Sequence, residues 1–292
     1  MENQPQLRHL TREITGMATS DGAGVKLLRS LGSGPHARLD PFLMLDEFSS
    51  VNPGDYIAGF PAHPHRGFET VTYLLDGKMR HEDHMGNVGH IQSGGVQWMT
   101  AGRGVIHSEM PEQVAGRMRG FQLWINLPAN EKMKPALYRD IQPEQIPSVA
   151  LGDGGAVKVI AGEFDFEGKS VRGPIHGLST EPLYLDIQLA PHSKVNLKVA
   201  PKHHAFVYVY EGQVQIGDRI VNNHSAGVLS EGDTILCQSL AQETRFLLLA
   251  GKPIGEPVVQ YGPFVMNTRA EIEQAVSDFQ NGILTGPAVP AV

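Results

Sequence analysis

Cysteine is nearly absent from this sequence: Cys237 stands alone among 292 residues. No intrachain disulfide can form, so the fold holds without covalent staples, which suits a reducing compartment. Cys237 lies in Thr234-Ile-Leu-Cys-Gln-Ser239, an apolar, strand-like stretch that reads as the seat of a buried structural thiol rather than a nucleophile. Basic runs are lacking as well. The 24 Lys and Arg are scattered and outnumbered by 31 Asp and Glu, a net charge of −7. Direct binding to nucleic acid, which depends on neutralising phosphates, is disfavoured, while acting on a transcription complex through protein contacts stays open. No apolar stretch approaches the ~20 residues of a membrane-spanning helix. The opening MENQPQLRHLTREITGM has neither an apolar core nor a small-residue cleavage site. The expected location is the cytoplasm, with no membrane partner. Charged residues make up only 19%, too few for a disordered or coiled-coil chain.

Glycine and proline, by contrast, are plentiful, at 33 and 20, and 41% of the residues are apolar. This is the composition of a turn-rich β protein long enough for two cores. Thr70-Val-Thr-Tyr-Leu-Leu75 and Lys78-Met-Arg-His-Glu-Asp83 flank Asp76-Gly77 and read as a hairpin. Further strands are expected at Val96–Met99, Val105–Glu109 and Gly120–Leu127, then at Val157–Phe164, Leu183–Leu189, Ala205–Tyr210, Val214–Ile216, Thr234–Cys237 and Phe246–Ala250. Short strands at even spacing point to sandwiches or barrels. Residues 129–155 are rich in proline and charge and read as a linker with some local structure, between a domain at 1–128 and another at 156–292. Thr268 and Glu271 form a capping box for a C-terminal helix whose apolar positions are Ile272, Ala275, Val276 and Phe279, with Gly282 as the stop.

The halves look like a weak repeat. Tyr73-Leu-Leu-Asp-Gly77 resembles Tyr208-Val-Tyr-Glu-Gly212, and Gly95-Val-Gln-Trp-Met resembles Gly232-Asp-Thr-Ile-Leu. Gly86, Gly89, Gly94, Gly95, Gly102 and Gly104 form no phosphate-binding loop and read as turns and tight corners of a barrel.

Two pairs of residues carry chemistry. In His63-Pro64-His65, alternation along a strand puts both imidazoles on one face, and imidazole is the commonest side-chain metal ligand. His107-Ser108-Glu109 has the same spacing. A lone His-x-His is weak; two such pairs in strand-like segments beside glycine-rich turns are much stronger. Three neutral imidazoles and a carboxylate suit one divalent first-row ion and leave coordination positions open in an octahedral shell. Glu69 has the strand parity of His63 and His65 and is a competing ligand; a substrate-facing role ranks below plain packing for it. His81 could approach the cavity from the next strand, while Asp83 and His84 read equally well as an exposed strand edge. Phe48, Phe68, Trp98 and Met99 are candidates for apolar lining. Arg66 and Arg103 could anchor a charged substrate, though bonding to loop backbone is the plainer expectation. In the second half, matching the repeat puts Lys198, Ala200, Thr244 and Phe246 where the four ligands stand in the first, and His204 where Glu69 stands, so no metal site is expected there.

The stretch from Leu39 to Glu109 closely resembles the pirin family. The resemblance is carried by Leu39-Asp-Pro-Phe-Leu-Met-Leu-Asp-Glu-Phe48, His63-Pro-His-Arg-Gly-Phe-Glu-Thr70, Gly86-Asn87 and Val96-Gln-Trp-Met-Thr-Ala-Gly-Arg-Gly-Val-Ile-His-Ser-Glu109, with Tyr261-Gly-Pro-Phe-Val-Met-Asn267 near the end. It implies an all-β fold of two tandem cupin, jelly-roll-like barrels with a short C-terminal helix. It also implies one metal ion in the first barrel, usually Fe(II), with Mn, Ni, Cu, Co or Zn as alternatives, held by His63, His65, His107 and Glu109. Two roles follow from it. One is oxidative ring cleavage of flavonols such as quercetin with O2 and release of CO, with Glu109 or Glu69 accepting the hydroxyl proton. The other is an iron-binding, redox-sensitive module that acts through protein partners, either transcription regulators or metabolic enzymes.

Overall fold

The computed structural model describes residues 5–34, 37–152 and 154–286; residues 1–4 and 287–292, at the ends of the expected domains, lie outside the described residues. The alternation of apolar and polar residues is realised as antiparallel sheets. Among the described residues, each half of the chain builds one seven-stranded and one four-stranded sheet, the two walls of a cupin barrel.

In the first barrel, the four-stranded wall orders Phe60–His65, Val105–Pro111, Lys78–Asp83 and Val88–Gln92. Its seven-stranded wall includes, in spatial order, Leu137–Ile141, Val96–Thr100, Phe68–Asp76, Met118–Asn126 and Phe42–Ser50. The second barrel repeats the plan, with Lys194–Lys198, Thr234–Ser239, Val214–Ile216 and Arg219–Val221 in its smaller wall. Its interior is a continuous apolar core that includes Leu197, Val207, Ile235, Cys237 and Phe246. Cys237 is fully buried there, and desolvation pushes its thiol pKa up, away from thiolate chemistry.

The division of the chain falls inside the expected linker at 129–155, whose two halves join the two barrels. Leu137–Ile141 pairs with Val96–Thr100 as an edge strand of the first barrel, and Ser148–Ala150 pairs with Ala156–Ala161 in the second. The boundary falls between Pro143 and Glu144, so little free linker remains. The termini are exchanged as well. The stretch through Met17 and the segment Ser30–Pro41 belong with Glu144–Pro253, where Leu10–Thr15 pairs with Ser225–Leu229. Ala18–Arg29 and the chain from Ile254 onward belong with Phe42–Pro143. An open sheet edge exposes unpaired N–H and C=O groups, and sequentially distant strands cover it.

The C-terminal helix forms at Arg269–Gln280 with the expected capping box: Glu271 N–H donates to Thr268 Oγ1, and Thr268 N–H donates to Glu271 Oε2. Ile272 and Ala275 bury against Phe264, Met266 and Leu284, with Ile106 packed beside them. Ile106 precedes His107 on the same strand, so the helix supports the outer side of the strand whose inner side carries His107 and Glu109.

Candidate metal centre

His63 and His65 end the Phe60–His65 strand, and His107 sits opposite His63 on the Val105–Pro111 strand. Burial along Val105–Pro111 alternates, with Val105, His107 and Glu109 turned inward. The three Nε2 atoms converge. His63 Nε2 lies 2.9 Å from His65 Nε2 and 3.1 Å from His107 Nε2. His63 Nδ1 is 2.9 Å from the Pro61 carbonyl, to which it donates its N–H, and this leaves the Nε2 lone pair free to point at the other rings. Burial pushes the pKa of His65 and His107 well below the ordinary imidazole value, and the neighbouring imidazoles add to this. Neutral rings with inward lone pairs repel one another unless a cation lies among them. The trio is the group of His, Cys, Asp and Glu side chains that could hold a metal ion among the described residues. The donor set fits a divalent transition metal. His65 and His107 are buried, whereas His63 is only partly so, which opens the trio to solvent on its side.

Glu109 is buried on the same inner face. Its Oε1 accepts from the Thr72 hydroxyl at 2.8 Å, and its Oε2 lies 3.4 Å from Gln122 Nε2. Glu69 is placed elsewhere. The pairing of Phe68–Asp76 with Val96–Thr100 is regular from Glu69 to Tyr73, so Glu69 and Thr72 face opposite sides of the sheet. Thr72 reaches Glu109, whereas the Glu69 carboxylate accepts from Trp98 Nε1 at 3.2 Å and Thr100 Oγ1 at 2.6 Å. Strand parity with His63 breaks down because Gly67, at a φ of 91°, lies between the two strands and resets the alternation. Desolvation pushes the Glu69 pKa up, and Thr100, Lys134 and Trp98 oppose it. The structure therefore gives no support to Glu69 as a ligand or a proton acceptor at this centre.

The same reset removes Trp98 from the lining. The aromatic walls beside the imidazoles are Phe68, 5.1 Å from the His65 ring, and Trp124, 5.3 Å from it. Trp124 escaped sequence reasoning; its position on the Met118–Asn126 strand opposite Thr70 only emerges from the sheet register. Phe48 packs in a separate cluster with Leu74 and Met79, and Met99 packs with Ala101, Val105 and Tyr138. Asp83 caps a turn, accepting from the backbone of Met85 and Asn87 and from the Asn87 side chain, and His84 is exposed. His81, by contrast, is buried on the inner face opposite Glu109. Arg66 binds the Arg103 and Leu284 carbonyls and pairs with Asp278 at 2.7 Å, so it holds backbone rather than substrate. Of the glycines, Gly86, Gly94, Gly102 and Gly104 take positive φ, as tight corners require.

Residues 24–125 match the family description "Pirin", and residues 184–285 match "Pirin C-terminal cupin domain". The chain belongs to the pirin family. Among its relatives, a Pseudomonas aeruginosa protein provisionally named a quercetin 2,3-dioxygenase is 54% identical over 92% of this chain and 95% of its own length. Pirin of Homo sapiens is 42% identical over 94% of this chain and 93% of its own. The crystal structure of a quercetin 2,3-dioxygenase from Acinetobacter baumannii superposes with a TM-score of 0.88 at 34% identity, covering 96% of this chain and 99% of that one. Among the described residues of this pirin-family chain, no helix is long and apolar enough to cross a membrane.

In the second barrel, the sheet register corrects the repeat read from sequence. His81 stands opposite Glu109 in the first barrel, and Ile216 stands opposite Cys237 in the second; His63 stands opposite His107, and Leu197 opposite Ile235. The counterparts of His63, His107 and Glu109 are therefore Leu197, Ile235 and Cys237, and not Lys198, Thr244 and Phe246. All three are buried in the apolar core.

Proposed function

We propose that this chain is an iron-dependent dioxygenase that opens the ring of flavonols such as quercetin with O2 and releases carbon monoxide. The observation that carries the reading is the convergence of three neutral imidazole Nε2 atoms inside a barrel of the pirin family. The likeness to the Acinetobacter baumannii quercetin 2,3-dioxygenase and to the Pseudomonas aeruginosa relative supports the choice of reaction.

His63, His65 and His107 would hold the ion, with Glu109 as a fourth ligand or as the carboxylate beside it, a donor set that suits Fe(II). Such an ion supplies Lewis acidity toward the 3-hydroxyl and 4-carbonyl of a flavonol and redox chemistry toward O2. The rest falls to the protein. Glu109, oriented by Thr72 and Gln122, is the group to take the hydroxyl proton. Phe68 and Trp124 offer apolar faces to an aromatic ligand and exclude water beside His65.

A second reading, a metal-gated module that binds protein partners, draws on the 42% identity to human pirin, a relative whose name carries no activity. Oxygen consumption and carbon monoxide release on quercetin decide between them, using iron-loaded wild type and a His63→Ala/His107→Ala variant. Turnover lost in the variant is the expected result. No turnover by a folded, fully metallated wild type sinks the dioxygenase reading for quercetin.

A further inference from the structure

A second polar constellation lies on the inner face of the first barrel, next to the imidazole trio and distinct from it. His81 is 3% exposed, and its Nε2 lies 3.4 Å from Asp140 Oδ1. Gln97 Nε2 donates to the same carboxylate oxygen at 3.1 Å. The pair is built closely: a Cβ on Gly89 would run into both Asp140 Oδ2 and His81 Nε2, so only glycine leaves room for it. The Tyr138 ring stacks on the imidazole at 5.8 Å with the planes 3° apart.

One atom of this assembly has nothing to bind. His81 Nδ1 is buried and without a hydrogen-bond partner. Leaving a buried polar atom unsatisfied costs about 1–3 kcal/mol, so such atoms call for a partner from outside the chain. Asp140 is an acceptor, and it draws the proton of His81 to Nε2. Nδ1 is then a lone pair, able only to accept. In the sheet register His81 stands opposite Glu109, and Asp83 opposite His107. The missing donor therefore belongs beside the metal centre.

We propose that His81 contacts the ligand of this site: its Nδ1 accepts a hydrogen bond from a hydroxyl of the aromatic molecule held at the three imidazoles, and Asp140 fixes the tautomer that makes this possible. The proposal rests on the dioxygenase reading and deepens it. It assigns the selection of flavonols that carry hydroxyls beyond the 3-position to a residue that is not a metal ligand. The stacked Tyr138 ring keeps the imidazole plane in place, so that turning it away from the ligand would break both the stack and the Asp140 contact.

The test is anaerobic binding of quercetin and of 3-hydroxyflavone, which shares the 3-hydroxyl and 4-carbonyl but lacks the other hydroxyls, to iron-loaded protein, with iron per chain measured on each sample. Wild type is expected to prefer quercetin. His81→Phe keeps the stack but has no acceptor, and should lower that preference roughly 10-fold at unchanged iron content. His81→Gln, which restores an acceptor oxygen, should recover part of it. Asp140→Asn should behave like His81→Phe, because an amide can donate to Nε2 and drive the proton onto Nδ1. A preference that survives in Asp140→Asn and His81→Phe overturns the role of His81 while leaving the dioxygenase reading standing. A metallated wild type that binds neither compound overturns both.

Discussion

Lys132 is a buried cation in the first barrel, 1% exposed. Its ammonium donates to the Gly67 carbonyl at 2.7 Å, Asn126 Oδ1 at 2.6 Å and the Val265 carbonyl at 3.0 Å. It thereby ties the turn after His65 to the C-terminal segment. Burial pulls its pKa down to about 8, with Glu256 and Glu271 acting in the other direction. The charge is present at neutral pH, and its desolvation works against folding. Between about 8 and 10.5 the unfolded chain holds the extra proton, so stability attributable to this residue rises with pH. Urea unfolding of wild type and Lys132→Met across this window should show wild type gaining on the variant by up to about 3 kcal/mol. A flat difference would mean that the three acceptors hold the ammonium charged throughout. Glu69 is held in the same way by local partners: its carboxylate accepts from Trp98 Nε1 and Thr100 Oγ1, on the sheet face opposite Thr72.

At the scale of elements, the C-terminal helix acts through Arg66, which follows His65 of the imidazole trio. Asp278, on the last turns of the helix, pairs with Arg66 at 2.7 Å, and the guanidinium is almost wholly buried. Removing the carboxylate leaves that charge without its counterion, so Asp278→Ala should cost about 3 kcal/mol in chemical unfolding. Its pH dependence carries a sign. Desolvation raises the Asp278 pKa, but the hydrogen bonds from Arg66 and Gln274 and the charge of Arg66 outweigh it and hold the carboxyl below its ordinary value of 3.8. The contribution is complete above that ordinary value and is lost as pH falls through the lowered one. The gap between wild type and Asp278→Ala should therefore be constant near neutrality and close only in strong acid. A gap that closes already at pH 5 would assign the effect to another group.

At the scale of the whole molecule, the termini are exchanged between the barrels, and the surroundings of the candidate metal centre are completed by the C-terminal segment. A chain ended at Pro253 loses Val265 from the cluster with Phe68 and Trp124, one acceptor of Lys132, and the Asp278 partner of Arg66. It should fail to retain iron at one ion per chain, as read by elemental analysis after desalting; full retention would show that the first barrel closes without its C-terminal segment. This could not be foreseen from the composition of residues 129–155, which marks where one barrel gives way to the other but not the exchange of the termini. The strand alternation, the capping box and the inward pairs His63/His65 and His107/Glu109 were legible in the sequence because periods of two and 3.6 residues are local properties. Register was not. Whether Glu69 faces the imidazoles, whether Tyr138 and Asp140 belong to a linker or to a barrel wall, and whether Cys237 or Phe246 is the counterpart of Glu109 are decided by hydrogen bonds between distant strands. A shift of one residue at Gly67 turns every following side chain to the other face, and only the paired sheet records that shift.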